Sequence, residues 1–130
     1  MSVVAGVDDL FFMAKILDAA RRTNVAVEGV PVAKVQERTS EAGAEAVILD
    51  LNSVAAVHTI RELKRDPRTR KVRVLGFASH VDSETISAAR DAGCDVVLAR
   101  SAFSKGLPDL LRQLASGSGS ISAEKTENQL

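Results

Sequence analysis

The sequence predicts an α/β domain in which a mostly parallel sheet is covered by helices on both faces. Five short runs rich in Val, Ile and Leu recur at fairly regular intervals, and segments with helical spacing lie between them. Most of the apolar runs are nearly continuous rather than alternating, as expected of strands buried on both sides. Regular alternation of strand and helix implies parallel pairing. Right-handed crossovers then limit how the chain can be wound.

The first strand is Val3-Val4-Ala5-Gly6-Val7. The helix after it places Leu10, Met13 and Leu17 on one face, with Phe12, Ile16 and Ala19 beside them. Phe11, Phe12 and Met13 are read as core and helix-contact residues. Val25-Ala26-Val27 is the second strand, and Val32, Val35, Thr39 and Ala42 form the weaker stripe of a second helix. Ala46-Val47-Ile48-Leu49 is the third strand, followed by a helix marked by Val57, Ile60 and Leu63.

The fourth strand is Val72-Arg73-Val74-Leu75-Gly76-Phe77. Asp82 can cap the fourth helix, which contains Ile86 and Ala89 and stops at Gly93. Val96-Val97-Leu98-Ala99 is the fifth strand, with Phe103 beyond it as a packing residue. Leu107, Leu110, Leu111 and Leu114 follow i, i+3, i+4, i+7 and give the last helix a clear buried face. Pro108 fits early in that helix, where a missing N–H costs little. Residues 1–115 therefore read as one domain, and 116–130, which open on alternating Ser and Gly, as a flexible tail or linker.

Composition narrows the function. Seventeen basic and seventeen acidic residues cancel, which argues against global attraction to nucleic acid or to an anionic membrane. One cysteine, Cys94, leaves no internal disulfide and fits a reducing, cytoplasmic setting. It reads as a packed thiol. No segment has the length or apolarity of a membrane span. The basic cluster Arg61, Lys64, Arg65, Arg68, Arg70, Lys71 and Arg73 is interrupted by Glu62 and Asp66 and lacks aromatics, so it reads as a solvated helix end rather than a nucleic-acid surface. His58 and His80 have no metal-ligand spacing, although His80 lies near the pocket described next.

In an open α/β sheet the loops at the carboxyl ends of the strands build the site. Those ends are Asp8-Asp9, Asp50-Leu51-Asn52, Ala78-Ser79 and Arg100-Ser101. Carboxylates gathered in one crevice repel one another unless a cation joins them. An oxygen-rich cluster of this kind suits Mg2+, and with that ion bound Asp50 could act as a nucleophile toward a phosphoryl group. Asp9 also has a structural role open to it, as the cap of the first helix. Arg100 could pair with the carboxylates directly and imitate the cation.

The Asp8-Asp9 pair, the apolar strand into Asp50, the segment from Leu63 through Arg65-Asp66-Pro67 to Arg70, and the run Asp91-Ala92-Gly93-Cys94-Asp95 together resemble the receiver domain of two-component response regulators. The resemblance covers roughly residues 3 to 115. It implies a flavodoxin-like three-layer α/β/α sandwich with a five-stranded parallel sheet in the order 2-1-3-4-5. It also implies phosphorylation at Asp50, with Mg2+ held by Asp8, Asp9, Asp50 and the carbonyl of Asn52. The implied partners are a histidine kinase or other signalling proteins, with a weak homodimer as a further expectation.

Departures from the family are as informative. Receivers carry Thr or Ser at the end of the fourth strand, where Ala78 stands here; Ser79 follows, and a one-residue slip would restore a hydroxyl. The family's Lys-Pro is replaced by Arg100-Ser101, and arginine does not reproduce a compact ammonium. Val97 takes the place of the aromatic switch, in a chain without Tyr or Trp. The loop after Asp50 is about two residues short and has Ser53-Val54 where the family has proline. These changes point to an atypical receiver or a pseudo-receiver that binds partners without phosphate control. A flavodoxin-like domain for a small phosphate-bearing ligand is the competing class, but its first loop would be rich in Gly and hydroxyls. Here that loop is acidic. A self-contained enzyme finds no nucleophile–base pair to support it.

Overall fold

Ser2–Gly6, Ala26–Val30, Ala46–Asp50, Arg73–Ala78 and Val96–Ala99 are the strands β1 to β5 of the computed structural model, which describes residues 2–79 and 83–116. They form one sheet in the order β2-β1-β3-β4-β5, with every neighbouring pair parallel. The predicted class and strand order are the observed ones. The helices are α1 (Leu10–Thr23), α2 (Val35–Ala42), α3 (Ala56–Arg65), α4 (Ser83–Ala92), α5 (Arg100–Lys105) and α6 (Leu107–Ser116), and a 3-10 turn, Val32–Lys34, leads into α2.

Because side chains alternate across a strand, each central strand feeds both layers. From β1 and β3, Val3, Ala5 and Ile48 join Phe12, Ile16, Leu111 and Leu114 on the α1/α6 side. Val4, Val47 and Leu49 join Val35, Ile60, Leu63 and Ile86 on the α2/α3/α4 side. All residues of β3 are buried, which explains its unbroken apolar run. Gly76 in β4 is required by close approach: a Cβ there would stand 2.7 Å from a Leu51 methyl carbon. Gly93, at φ +115°, ends α4 in a conformation that a side chain would strain.

Three expectations are corrected. The second strand is Ala26–Val30 rather than Val25–Val27, and its exposed Ala26, Glu28 and Gly29 mark an edge strand without a continuous apolar run. The buried face of α1 is Phe12, Met13, Ile16 and Ala20, whereas Leu10 and Phe11 are 80% and 91% exposed. Asp9 caps the helix, and that start sets the phase that turns Phe12 rather than Phe11 onto the sheet. The chain after β5 also forms an unforeseen helix, α5, which buries Phe103 before Gly106 interrupts it. The α6 face of Leu107, Leu110, Leu111 and Leu114 is buried as predicted.

The Asp82 cap, His80 and residues 117–130 of the predicted tail lie outside the described residues; Ser116 is the last residue of α6. Among the described residues no helix is long and apolar enough to cross a membrane. The basic cluster at the other end of the strands is largely spent on the fold. Lys64 reaches Asp95 and the Val72 carbonyl, Arg68 and Arg65 pair with Asp66 and Glu62, and Arg73 donates to the Leu114 carbonyl.

Candidate functional site

The carboxyl ends of β1, β3 and β5 bring together four of the residues singled out in the sequence. Asp8 and Asp9 follow β1, Asp50 is the last residue of β3, and Arg100 is the first residue after β5. Local hydrogen bonding explains each position. Asp9 Oδ1 accepts from the Phe11 and Phe12 amides at 2.9 and 3.2 Å, closing the first turn of α1. Asp8 Oδ1 accepts from the Val32 amide at 3.0 Å and ties this loop to the 3-10 turn. Asp50 Oδ1 accepts from the Asn52 amide at 2.9 Å, turning the chain sharply out of β3.

Arg100 supplies the positive charge of this cleft. Its Nη2 donates to Asp9 Oδ2 at 3.1 Å, and its guanidinium carbon lies 4.0 Å from the centroid of the Phe12 ring. Phe12 is held from below by Phe77 at 5.0 Å and Phe103 at 5.9 Å, and those two rings stack on each other at 4.6 Å. An aromatic floor fixed by three elements therefore carries the guanidinium, an arrangement that arginine satisfies better than lysine.

The carboxylates feel this environment differently. Burial raises the Asp50 carboxyl above its ordinary range, and the negative charges of Asp8 and Asp9 add to that effect. The Asn52 amide and the charge of Arg100 oppose it without cancelling it. Asp9 is held below its ordinary range, first by the Phe12 amide and then by Arg100.

The remaining predicted residues stand at the end of β4, on β5, and in the loop and helix after β3. Ala78 is the last residue of that strand, paired with Ala99 and buried, and Val97 is fully buried beside it in the α4-side core. Ser79 lies outside the strand and exposed. Its amide and hydroxyl both donate to Asn52 Oδ1, at 2.7 and 2.9 Å. Ser53 stays local, accepting from the Ala55 amide. His58 is exposed on α3, away from these residues in the chain.

As arranged, these donors do not fit a divalent cation. Both oxygens of Asp9 are engaged by the helix start and by Arg100. Among the described residues no group of three or more His, Cys, Asp or Glu side chains converges closely enough to hold a metal ion.

The pairing of Arg100 with a carboxylate is the one expected of it, and the structure identifies Asp9, 91 positions away, as the partner. The contact between Asn52 and Ser79, 27 positions apart, had no signal in the sequence, because only the topology brings that pair together. The cap at Asp9, by contrast, was readable from residue type and position.

No protein-family model and no curated protein matches the chain. Solved structures do match it. A response regulator from Hahella chejuensis has a TM-score of 0.78 at 16% identity, over 92% of this chain and 98% of that one. A response regulator receiver domain from Rhodospirillum rubrum has a TM-score of 0.72 at 19% identity, over 93% and 98% of the two chains. The chemotaxis response regulator CheY4 of Vibrio cholerae has a TM-score of 0.76 at 13% identity, over 87% and 97%. At these identities the likeness establishes a shared receiver fold.

Proposed function

We propose that this receiver-fold chain is a signalling module that works in the cytoplasm by binding another signalling protein, and that its binding surface does not depend on phosphorylation. The carrying observation is that Ala78, which closes β4, and Val97, on β5, are both buried, and the resemblance to receivers sets the switch hydroxyl and the aromatic rotor at these two positions. The nearby Ser79 hydroxyl is bonded to Asn52 instead. A phosphoryl group on Asp50 would thus have no side chain to pull inward and no ring to reorient. Output falls to the face of α4, β5 and α6, presented in one state.

Asp50 itself favours a second reading, in which the chain still accepts a phosphoryl group. Its Oδ2 finds no hydrogen-bond donor among the described residues, and it sits at the mouth of the sheet. One experiment separates the readings. Backbone amide spectra are followed on adding Mg2+ and beryllofluoride, with Asp50→Asn as control. No Asp50-dependent change in β5 or α4 is the expected result. Changes confined to residues 50–52 would assign acceptance without transmission. Changes that need both Mg2+ and Asp50 and spread into β5 would overturn the proposal.

A further inference from the structure

We infer that Arg100 is the resident cation of the acidic cleft, and that its guanidinium keeps Asp8, Asp9 and Asp50 closed to divalent metal ions. This inference takes the cleft to be the receiver-type site of the proposed function and concerns how that site is neutralised. Carboxylates gathered at the ends of β1 and β3 need a positive charge nearby, because each raises the cost of ionising the next. In this chain the charge is covalently attached. A guanidinium does not deprotonate at any accessible pH, so the neutralisation is permanent.

Two independent contacts hold it there. Asp9 Oδ2 accepts from Nη2 at 3.1 Å, and the Phe12 ring lies 4.0 Å beneath the guanidinium carbon. Phe12 is only 7% exposed and wedged against Phe77 and Phe103, so the floor is rigid. An apolar ring suits a weakly hydrated guanidinium and offers nothing to a metal ion that keeps its waters. Asp9 Oδ1 already serves the Phe11 and Phe12 amides. The oxygen a metal would have to take is therefore the one Arg100 holds. Any metal approaching Asp50 would also meet the positive charge that already acts on that carboxylate.

The test uses Mn2+ alone as probe, read by paramagnetic broadening of backbone amides in the full chain. Arg100→Ala and Arg100→Gln are compared with the unsubstituted protein, each with and without Asp50→Asn. The unsubstituted chain should show no saturable broadening at residues 8–10 and 50–52. Either variant should show it, with affinity raised roughly tenfold or more by loss of the adjacent like charge, and Asp50→Asn should abolish the gain.

Saturable broadening in the unsubstituted chain overturns the inference by itself, whatever the variants do. So does a folded variant, recognised by its dispersed amide spectrum, that gains nothing. Beryllofluoride takes no part in this titration. A chain that binds Mn2+ but sends no change to β5 in beryllofluoride would thus refute the role of Arg100 and leave the phosphorylation-independent reading standing.

Discussion

The guanidinium of Arg100 rests on the ring of Phe12, 4.0 Å from its centroid, and so joins the end of β5 to the first turn of α1. The Arg100 side chain is about one-third exposed, which places the contact between a surface pair and a desolvated one. A double-mutant cycle of Arg100→Gln and Phe12→Leu, read by urea unfolding, should give a coupling of about 0.5–1 kcal/mol. The ion pair with Asp9 is screened by salt and the ring contact much less so. The coupling should therefore survive in molar NaCl. A value indistinguishable from zero would show that the ring supports the arginine sterically and no more.

Asp50 makes a prediction whose sign follows from burial. Its carboxyl has a higher pKa in the fold than in the unfolded chain, because desolvation outweighs the Asn52 amide and Arg100. Such a group contributes stability below its unfolded pKa and loses it as pH rises through the folded value. At neutral pH the ionised Asp50 is therefore a cost. Asp50→Asn, which keeps an oxygen for the Asn52 amide, should raise the melting temperature at pH 7. The gain should shrink as pH falls toward the unfolded carboxylate value near 4. A variant less stable than the parent at pH 7 would contradict this account of the site.

Cys94 predicts inertness. Its thiol is buried between β4 and β5, where Sγ meets the carbonyls of Val96 at 3.3 Å and Val74 at 3.7 Å, and burial pushes its pKa up to about 11. Only the thiolate is nucleophilic, so at pH 8 roughly one thiol in a thousand is reactive even where reagent can reach it. Modification by a disulfide reagent should proceed through unfolding and speed up sharply near the urea midpoint. Reaction of the native chain at the rate of a free thiol would mean that β5 opens readily.

How much of this was legible in the sequence depended on the kind of contact. The covered strands, from Val3–Ala5 to Val96–Ala99, were readable because burial on both faces leaves an apolar run that nothing else explains. The bounds of β2 are not legible, because an edge strand with exposed Glu28 and Gly29 carries no such run. The exposure of Leu10 and Phe11 is not legible, because apolar spacing alone does not say where a helix begins, and the Asp9 cap decides that. α5 escaped because it is a six-residue helix with Phe103 as its buried residue, too short for any periodicity. In the cleft, the strand-end acids could be listed in advance from the alternation of strands and helices. The Phe12 floor under Arg100 and the bond from Ser79 to Asn52 could not, since both are long-range consequences of strand order.

Ala78 and Val97, two of the positions where the chain departs from the receiver pattern, predict opposite responses to substitution. Ala78 borders a small cavity of about 220 Å³, shared with Asn52, Ser53, Val57, Thr85 and Ile86, so a threonine there has space and polar neighbours for its hydroxyl. Ala78→Thr should change stability by less than about 1 kcal/mol in urea unfolding, as small fitted substitutions do. Val97 does not border that cavity. It is fully buried and packed in one cluster with Val74, Ala78, Ile86 and Cys94. A tyrosine at 97 must push those side chains apart and bring a hydroxyl that needs a partner, so Val97→Tyr should cost about 1–3 kcal/mol. If Val97→Tyr proved neutral instead, the α4–β5 seam would have room for a ring. The lack of an aromatic at position 97 would then be a matter of residue choice, not of how the core is built.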